Sequence, residues 1–312
     1  MSLTRFLDDK PVFLLSSITG LTSWVDYIPV QYDSAASPRR FDNDGAYAIS
    51  ALLDNVSGLS AWKDYTPAYL DSTATERSSA SALGYIPIIE QTPTDQYFSS
   101  VVSLLHFDGA DAGTTFTDQK GLTWTGANTA QLDTAQKKWG TASLLTDTTN
   151  DRITTPDTTT WEMGSSDFTV ECWIRWVTDP ASARFVSKWT TTGDQREWRL
   201  GYVGGTGLQF GYSTDGTVNT SRNGAWTPVK DTWYHVCGMR SGTTIYLFAD
   251  GAALGNGVIG TLFEGTATPC ISDGVSDGFG IDGWIDDVRV TKGVARYAVT
   301  GFQRPVRAFP NA

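Results

Sequence analysis

The chain has 312 residues, of which 40% are hydrophobic and only 18% charged, with 31 glycines and 12 tryptophans. Its net charge of −11 argues against nucleic acid as a partner, because binding there requires clustered cations that displace counterions from phosphates. No apolar run approaches the ~18 residues of a membrane span, so membrane insertion is not expected. Low charge with abundant glycine and aromatic residues suits a mainly β protein with many turns, and the length allows one large β domain with an appendage.

The N-terminal stretch "MSLTRFLDDKPVFLLSS" carries acidic residues and Pro11. It lacks the apolar core of a signal peptide, so synthesis in a cytoplasm is expected. "TGLTSWVDYIPVQYDS" at 19–34 then returns as "SGLSAWKDYTPAYLDS" at 57–72, matching at Trp24/Trp62, Asp26/Asp64, Tyr27/Tyr65 and Pro29/Pro67 with one 38-residue offset. A shorter echo, "SALGYIPI", follows at 81–88. Residues 70–90 read as a short helix capped by Asp71 or Ser72 and stopped by Gly84 and Pro87. Each unit is a turn or helical segment, an aromatic residue and an extended exit before proline. Such a unit buries too little surface alone and needs stacked neighbours. That requirement predicts partner copies of the chain, with a trimer favoured.

"ALGYIP" (Ala82 to Pro87) resembles the Ala-Leu-Gly-Tyr-Thr-Pro repeat of the N-terminal parts of phage tail fibres, and "WVDYIPV" and "WKDYTPA" look like degenerate copies. The resemblance implies that residues 1–95 form an N-terminal anchor and oligomerisation region that meets other virion proteins. The polar, aperiodic "EQTPTDQYFSS" at 90–100 marks the boundary, leaving 96–312 as the second domain.

From residue 101 onward short strands and turns alternate. "FTVECWIRWV" (168–177) sets Phe168, Val170, Cys172, Ile174 and Trp176 against Thr169, Glu171, Trp173 and Arg175, a strand with one face in a core. "REWRLGYV" and "GLQFGYST" joined at "GGTG" predict a hairpin. "TWYHVCGMRSGTTIYLFADGAAL" (232–254) predicts two strands around "RSGTT", then a type I′ turn at Asp250-Gly251. The expected fold is therefore an antiparallel β-sandwich of the jelly-roll kind, preceded by the small repeat-containing anchor. Cys172, Cys237 and Cys270 show neither a disulfide framework nor zinc spacing, and His106 and His235 are isolated in the sequence.

Several of these segments are similar to the laminin-G-like, concanavalin A-like jelly-roll family. "LLHFDGADAGTTFTDQKG" resembles its opening strand and loop, and "KKWGTASLL" and "DRITTPDTTTWEMGSSDFTVECWIRW" its next strands. "TWYHVCGMRSGTTIYLFADG" resembles its central hairpin, and "GWIDDVRVTKGVARY" its closing strand, with Asp287 where glutamate is usual. Endings of the form "TKGVARY" are frequent on phage structural proteins, which agrees with the repeat resemblance and implies a virion location. The resemblance implies a structural calcium ion, with Asp286 on the closing strand and Asp108 and Asp118 from the opening loop as candidate ligands.

Jelly rolls also host glycosidases, which need two carboxyls facing one bond, ~5–5.5 Å or ~6.5–9.5 Å apart. The Glu-x-Asp-x-x-Glu strand motif of retaining enzymes of this fold is absent, and Asp286 and Asp287, as strand neighbours, are expected on opposite faces. No enzyme is expected. Trp173, flanked by Glu171 and Arg175 and joined by Trp198 and Arg199, is the candidate platform for a host-surface glycan. The expectation is a fibre, spike or decoration protein with an adhesive sandwich; the alternative is an architectural module that binds no sugar.

Overall fold

The computed structural model describes residues 3–7, 10–13, 94–147, 150–273 and 278–312. The repeats at 19–34, 57–72 and 81–88 and the helix expected in 70–84 lie outside them. The chain divides into two compact units, Met1–Glu90 and Gln91–Ala312. In the first, β1 (Leu3–Leu7) and β2 (Lys10–Phe13) form an antiparallel hairpin.

The second unit opens with β3 (Val101–Leu105), β4 (Phe116–Thr117), β5 (Thr123–Ala127), β6 (Gln131–Asp133), β7 (Ser143–Thr146) and β8 (Arg152–Thr154). Next come β9 (Phe168–Trp176), β10 (Ser182–Thr190), β11 (Gln195–Val203), β12 (Gly207–Tyr212) and β13 (Thr220–Gly224). It closes with β14 (Tyr234–Ser241), β15 (Thr244–Ala249), β16 (Ala252–Val258), β17 (Pro269–Ile271) and β18 (Gly283–Lys292). One antiparallel sheet has the order β13-β12-β11-β10-β17-β8-β5-β4; the other runs β16-β15-β14-β9-β18-β7-β6, with β3 also paired to β18.

The alternation in β9 works as its sequence predicts on the inner side. Phe168, Val170, Cys172, Ile174 and Trp176 all enter one core with Phe185, Trp198, Leu200 and Phe210 of the facing sheet. Each large apolar side chain buried this way contributes ~1.5–3 kcal/mol. All three cysteines are buried.

The other side of β9 differs from expectation. Thr169, Glu171 and Trp173 are also buried, because the chain after β18 returns across the sheet as a C-terminal strap. Tyr297 and Phe302 of the strap pack on Cys237, Met239 and Phe248, and Phe309 packs on Val101 and Leu104. The strap crosses the β15–β16 turn, where Asp250 and Gly251 have φ of 48° and 77°, as a type I′ turn requires. Phe302 N donates to Gly251 O at 3.0 Å, and any Cβ at Gly251 would collide with the Phe302 carbonyl. Only glycine serves there.

Asp95, assigned by the sequence to the anchor, is held by the sandwich instead: its amide donates to Ala312 O at 2.5 Å. Both ends of the second unit therefore meet at one place.

Candidate functional site

Strand alternation aims Glu171 (β9), His235 (β14) and Arg289 (β18) at the strap. Glu171 accepts Arg289 Nε at 2.9 Å, His235 Nε2 at 3.0 Å and the Tyr297 hydroxyl at 2.6 Å. Arg289 Nη1 also donates to Asp95 at 3.1 Å, and Arg296 reaches Asp95 through Nη1 and Nη2 at 2.9 and 2.8 Å. Burial opposes the charge on Glu171, yet Arg289 and His235 hold its carboxyl down at about 2. Asp95 is likewise lowered, burial being outweighed by Arg296.

At the other end of the closing strand, β18 spends three residues where β9 spends two, between the pairs Asp286↔Trp173 and Arg289↔Glu171. Asp287 takes a left-handed φ of 48° in this bulge. Ile285 and Val288 both reach the core, so the two aspartates between them turn outward together. The expectation of opposite faces fails because the bulge breaks the period of two.

Asp287 Oδ1 lies 2.6 Å from His106 Nδ1, and its Oδ2 accepts Phe309 N at 2.9 Å. His106 Nε2 meets Asn311 Oδ1 at 2.5 Å. Burial would lower the His106 pKa, but Asp287 raises it; Asp287 itself is raised by burial. Asp286 Oδ2 accepts Lys138 N at 2.7 Å and Trp139 N at 3.0 Å, while its buried Oδ1 has no hydrogen-bond partner. Burial, with Asp287 adding to it, pushes Asp286 up to about 8.

The loop that Asp286 holds lies over Trp173. Lys138 Nζ is 4.3 Å from the Trp173 ring centre, and Trp139 meets it edge-on at 5.8 Å. Outside this cover the strap borders a shallow, open groove of about 300 Å³, lined by Arg289, Tyr297, Gln303, Arg304, Arg307 and Phe309 among others. That volume is at the small end of ligand sites. Tyr297 is fixed there by stacking on Phe302 at 3.7 Å. Arg304 pairs with Asp250 at 3.1 Å. Arg307 is exposed and has no ion-pair partner among the described residues.

The residues singled out in the sequence do not assemble into one platform. Trp173 is 0% exposed and Glu171 is engaged throughout. Arg175 turns to Asp231 at 3.0 Å and lies over Trp284. Trp198 is in the core, stacked on Trp161, and Arg199 lies over Trp189 at 4.1 Å on the other sheet. A strand alternation cannot reveal a strap that arrives more than a hundred residues later.

The expected metal set separates too. Asp118 accepts the Ser103 hydroxyl at 2.6 Å and the Trp124 indole at 2.9 Å. Asp108 and Asp286 serve one loop from two sides, through Thr141 Oγ1 at 3.0 Å and Trp139 N at 3.0 Å respectively. Among the described residues no three His, Cys, Asp or Glu side chains form a metal cluster. The orphaned Asp286 Oδ1 fits a cation; Asp118 has no part in it.

His106, Tyr297, Arg304 and Arg307 were not legible as site residues. The one signal for Tyr297, Arg304 and Arg307 is the density of arginine and aromatic residues in "RYAVTGFQRPVRAF" (296–309), and His106 has none.

The two sheets and the closed core between them define an antiparallel β-sandwich of the jelly-roll kind. Residues 147–296 match the family model of the concanavalin A-like lectin/glucanases superfamily, so that segment is similar to domains of this kind. Comparison with curated proteins gives no match. Among solved structures, the binding domain of Paraclostridial Mosquitocidal Protein 1 superposes with TM-score 0.51 at 13% identity, over 64% of this chain and 50% of that one. The botulinum neurotoxin serotype D binding domain gives TM-score 0.49 at 12% identity, over 64% and 50%. Domain 4 of AbnA, an extracellular arabinanase from Geobacillus stearothermophilus, solved with arabinotriose, gives 0.46 at 15% identity, over 63% and 94%. This chain thus spans half the length of the toxin binding domains it matches. At such identities the likeness is one of fold.

Proposed function

We propose that this chain is a phage virion structural protein, a fibre, spike or decoration component, whose jelly roll adheres to a host-surface glycan through the strap groove. The region before the sandwich, expected over 1–95 and ending at Glu90 in the fold, joins it to other virion proteins as a homo-oligomer, a trimer in first place. The observation that carries the adhesive reading is the groove: Arg304, Arg307 and Gln303 offer donors for sugar hydroxyls or carboxylates beside the ring of Tyr297, on a domain of lectin class. Aromatic faces with a few fixed polar groups are what such ligands require. The repeats near the N-terminus support the virion part. A structural calcium ion between Asp286 and Asp108 belongs to the same reading, completed by loop carbonyls because calcium takes six to eight oxygens at ~2.3–2.6 Å.

The test is a glycan array probed with the full chain, with sedimentation of the same sample for its oligomeric state. Binding to a defined glycan set supports adhesion. A chain that ignores every glycan yet is incorporated into particles supports the architectural alternative, which the self-sealed outer face of β9 favours. A compact monomer overturns the anchor role.

A further inference from the structure

Lys188 is fully buried at a place the proposed function does not use. It stands on β10 between Trp198 of β11 and Pro269 of β17. Its Nζ donates to a Glu197 carboxyl oxygen and to Gly265 O at 2.7 Å, and lies 3.0 Å from Asp157 Oδ1. A bulge between the pairs Lys188↔Trp198 and Trp189↔Arg196 turns Glu197 back onto the amine. Trp198, the strand partner of Lys188, is itself stacked on Trp161.

One buried amine therefore faces two carboxyl groups, Glu197 fully buried and Asp157 with 24% of its side chain exposed, and one of the two keeps its proton. Glu197 is that group: burial raises it to about 8 against the pull of Lys188. Hydrogen-bond bookkeeping is also incomplete. Glu197 Oε2 and Asp157 Oδ1 are buried without a hydrogen-bond partner, the latter despite its approach to Nζ. A settled ion pair would satisfy both.

We propose that Lys188 and Asp157 condense into an intramolecular isopeptide bond, with Glu197 as the proton relay. Lys188 Nζ attacks Asp157 Cγ; an Nζ–Cγ bond forms and one Cγ–O bond breaks. The departing oxygen takes two of the three ammonium protons through Glu197, which ends protonated as it began, and leaves as water. Nothing else is consumed.

Three features of the site favour the step. Fixed proximity is worth an effective concentration of roughly 10⁵–10⁸ M in well-oriented intramolecular reactions. Burial penalises the ionised reactants and not the neutral amide. A carboxyl raised to about 8, as that of Glu197 is, also suits proton transfer. The bond would staple the loop before Trp161 to β10, much as a disulfide closes a loop.

Intact mass of the purified full chain tests this, followed by proteolysis and peptide mapping. The expected result is a deficit of one water relative to the sequence, and a branched peptide joining the Lys188 and Asp157 segments. Lys188→Arg keeps the cation without the nucleophile and should restore the full mass; Glu197→Gln should do so partly or fully. A folded wild-type chain at full mass overturns the proposal without recourse to any variant. A deficit that survives in Lys188→Arg, or maps to another aspartate, overturns it as well.

Discussion

Glu171 and Asp286 lie on the same outer side of the same sheet, both fully buried, and burial acts alike on both. Glu171 is nevertheless held down at about 2 and Asp286 pushed up to about 8. The difference lies in what the fold brings to each. Glu171 receives a guanidinium, an imidazole and a phenol; Asp286 receives two backbone amides and a second carboxyl next door. Amides alone do not offset the loss of water around a carboxylate; a cation does. A buried carboxyl group without a cation keeps its proton or recruits a cation from solution.

The largest effect should come from breaking the side that has its cation. Glu171→Ala leaves Arg289 buried without its main partner and should cost about 3–5 kcal/mol, read as a lower thermal midpoint or denaturant midpoint. Asp286→Asn, measured in chelator, replaces a neutral acid by a neutral amide and should cost within about 1 kcal/mol. Equal losses would erase the contrast.

The pH response should follow. A carboxyl raised from 3.8 to about 8 gives the folded state a proton that the unfolded chain has already lost, so stability falls as pH climbs through that window. His106, raised above its ordinary 6.5, stabilises fully below 6.5 and loses that contribution as pH rises through its folded value. Glu171 acts oppositely: its contribution is present above 4.5 and lost as pH falls toward about 2. Glu197 adds to the decline while it remains a free acid. The midpoint should therefore drop between roughly pH 5 and pH 8, and Asp286→Asn should flatten the drop. A midpoint that rises over that range contradicts the assignment of a neutral Asp286.

How much of this could be read from the sequence follows the same division. The inner face of β9 and the hairpin with its Asp250-Gly251 turn are local patterns, and both folded as written. The outer face was read as open because "GVARYAVTGFQRPVRAFPNA" (293–312) has no strand or helix period, so nothing announced a covering segment. Glu171 in the midst of an apolar strand was the visible clue, since a lone carboxyl there demands a partner from elsewhere. The bulge at Asp287 was hidden for a different reason. Its residue is not glycine, and only the pairing register of β18 against β9 shows the extra position.

A smaller effect should come from offering Asp286 a cation from solution. Calcium in excess over its dissociation constant should raise the midpoint by about 1–3 kcal/mol, through Asp286 and Asp108, and the rise should vanish in Asp286→Asn. Identical midpoints in calcium and in chelator would leave Asp286 as an amide-bonded neutral acid and nothing more.

The most direct measurement concerns which surface meets a ligand, the strap groove or the strand beneath it. A glycan identified on the array is titrated against the wild-type chain, Arg307→Ala and Trp173→Phe, each first shown to be folded. Arg307 is exposed on the groove and Trp173 is sealed under the strap and the 138–139 loop. The expected result is at least a tenfold loss of affinity in Arg307→Ala, the ~1.4 kcal/mol or more of a charged hydrogen bond, with Trp173→Phe binding as the wild type does. Binding that survives Arg307→Ala and disappears in Trp173→Phe would contradict it, and would return the site to the strand that the sequence first suggested.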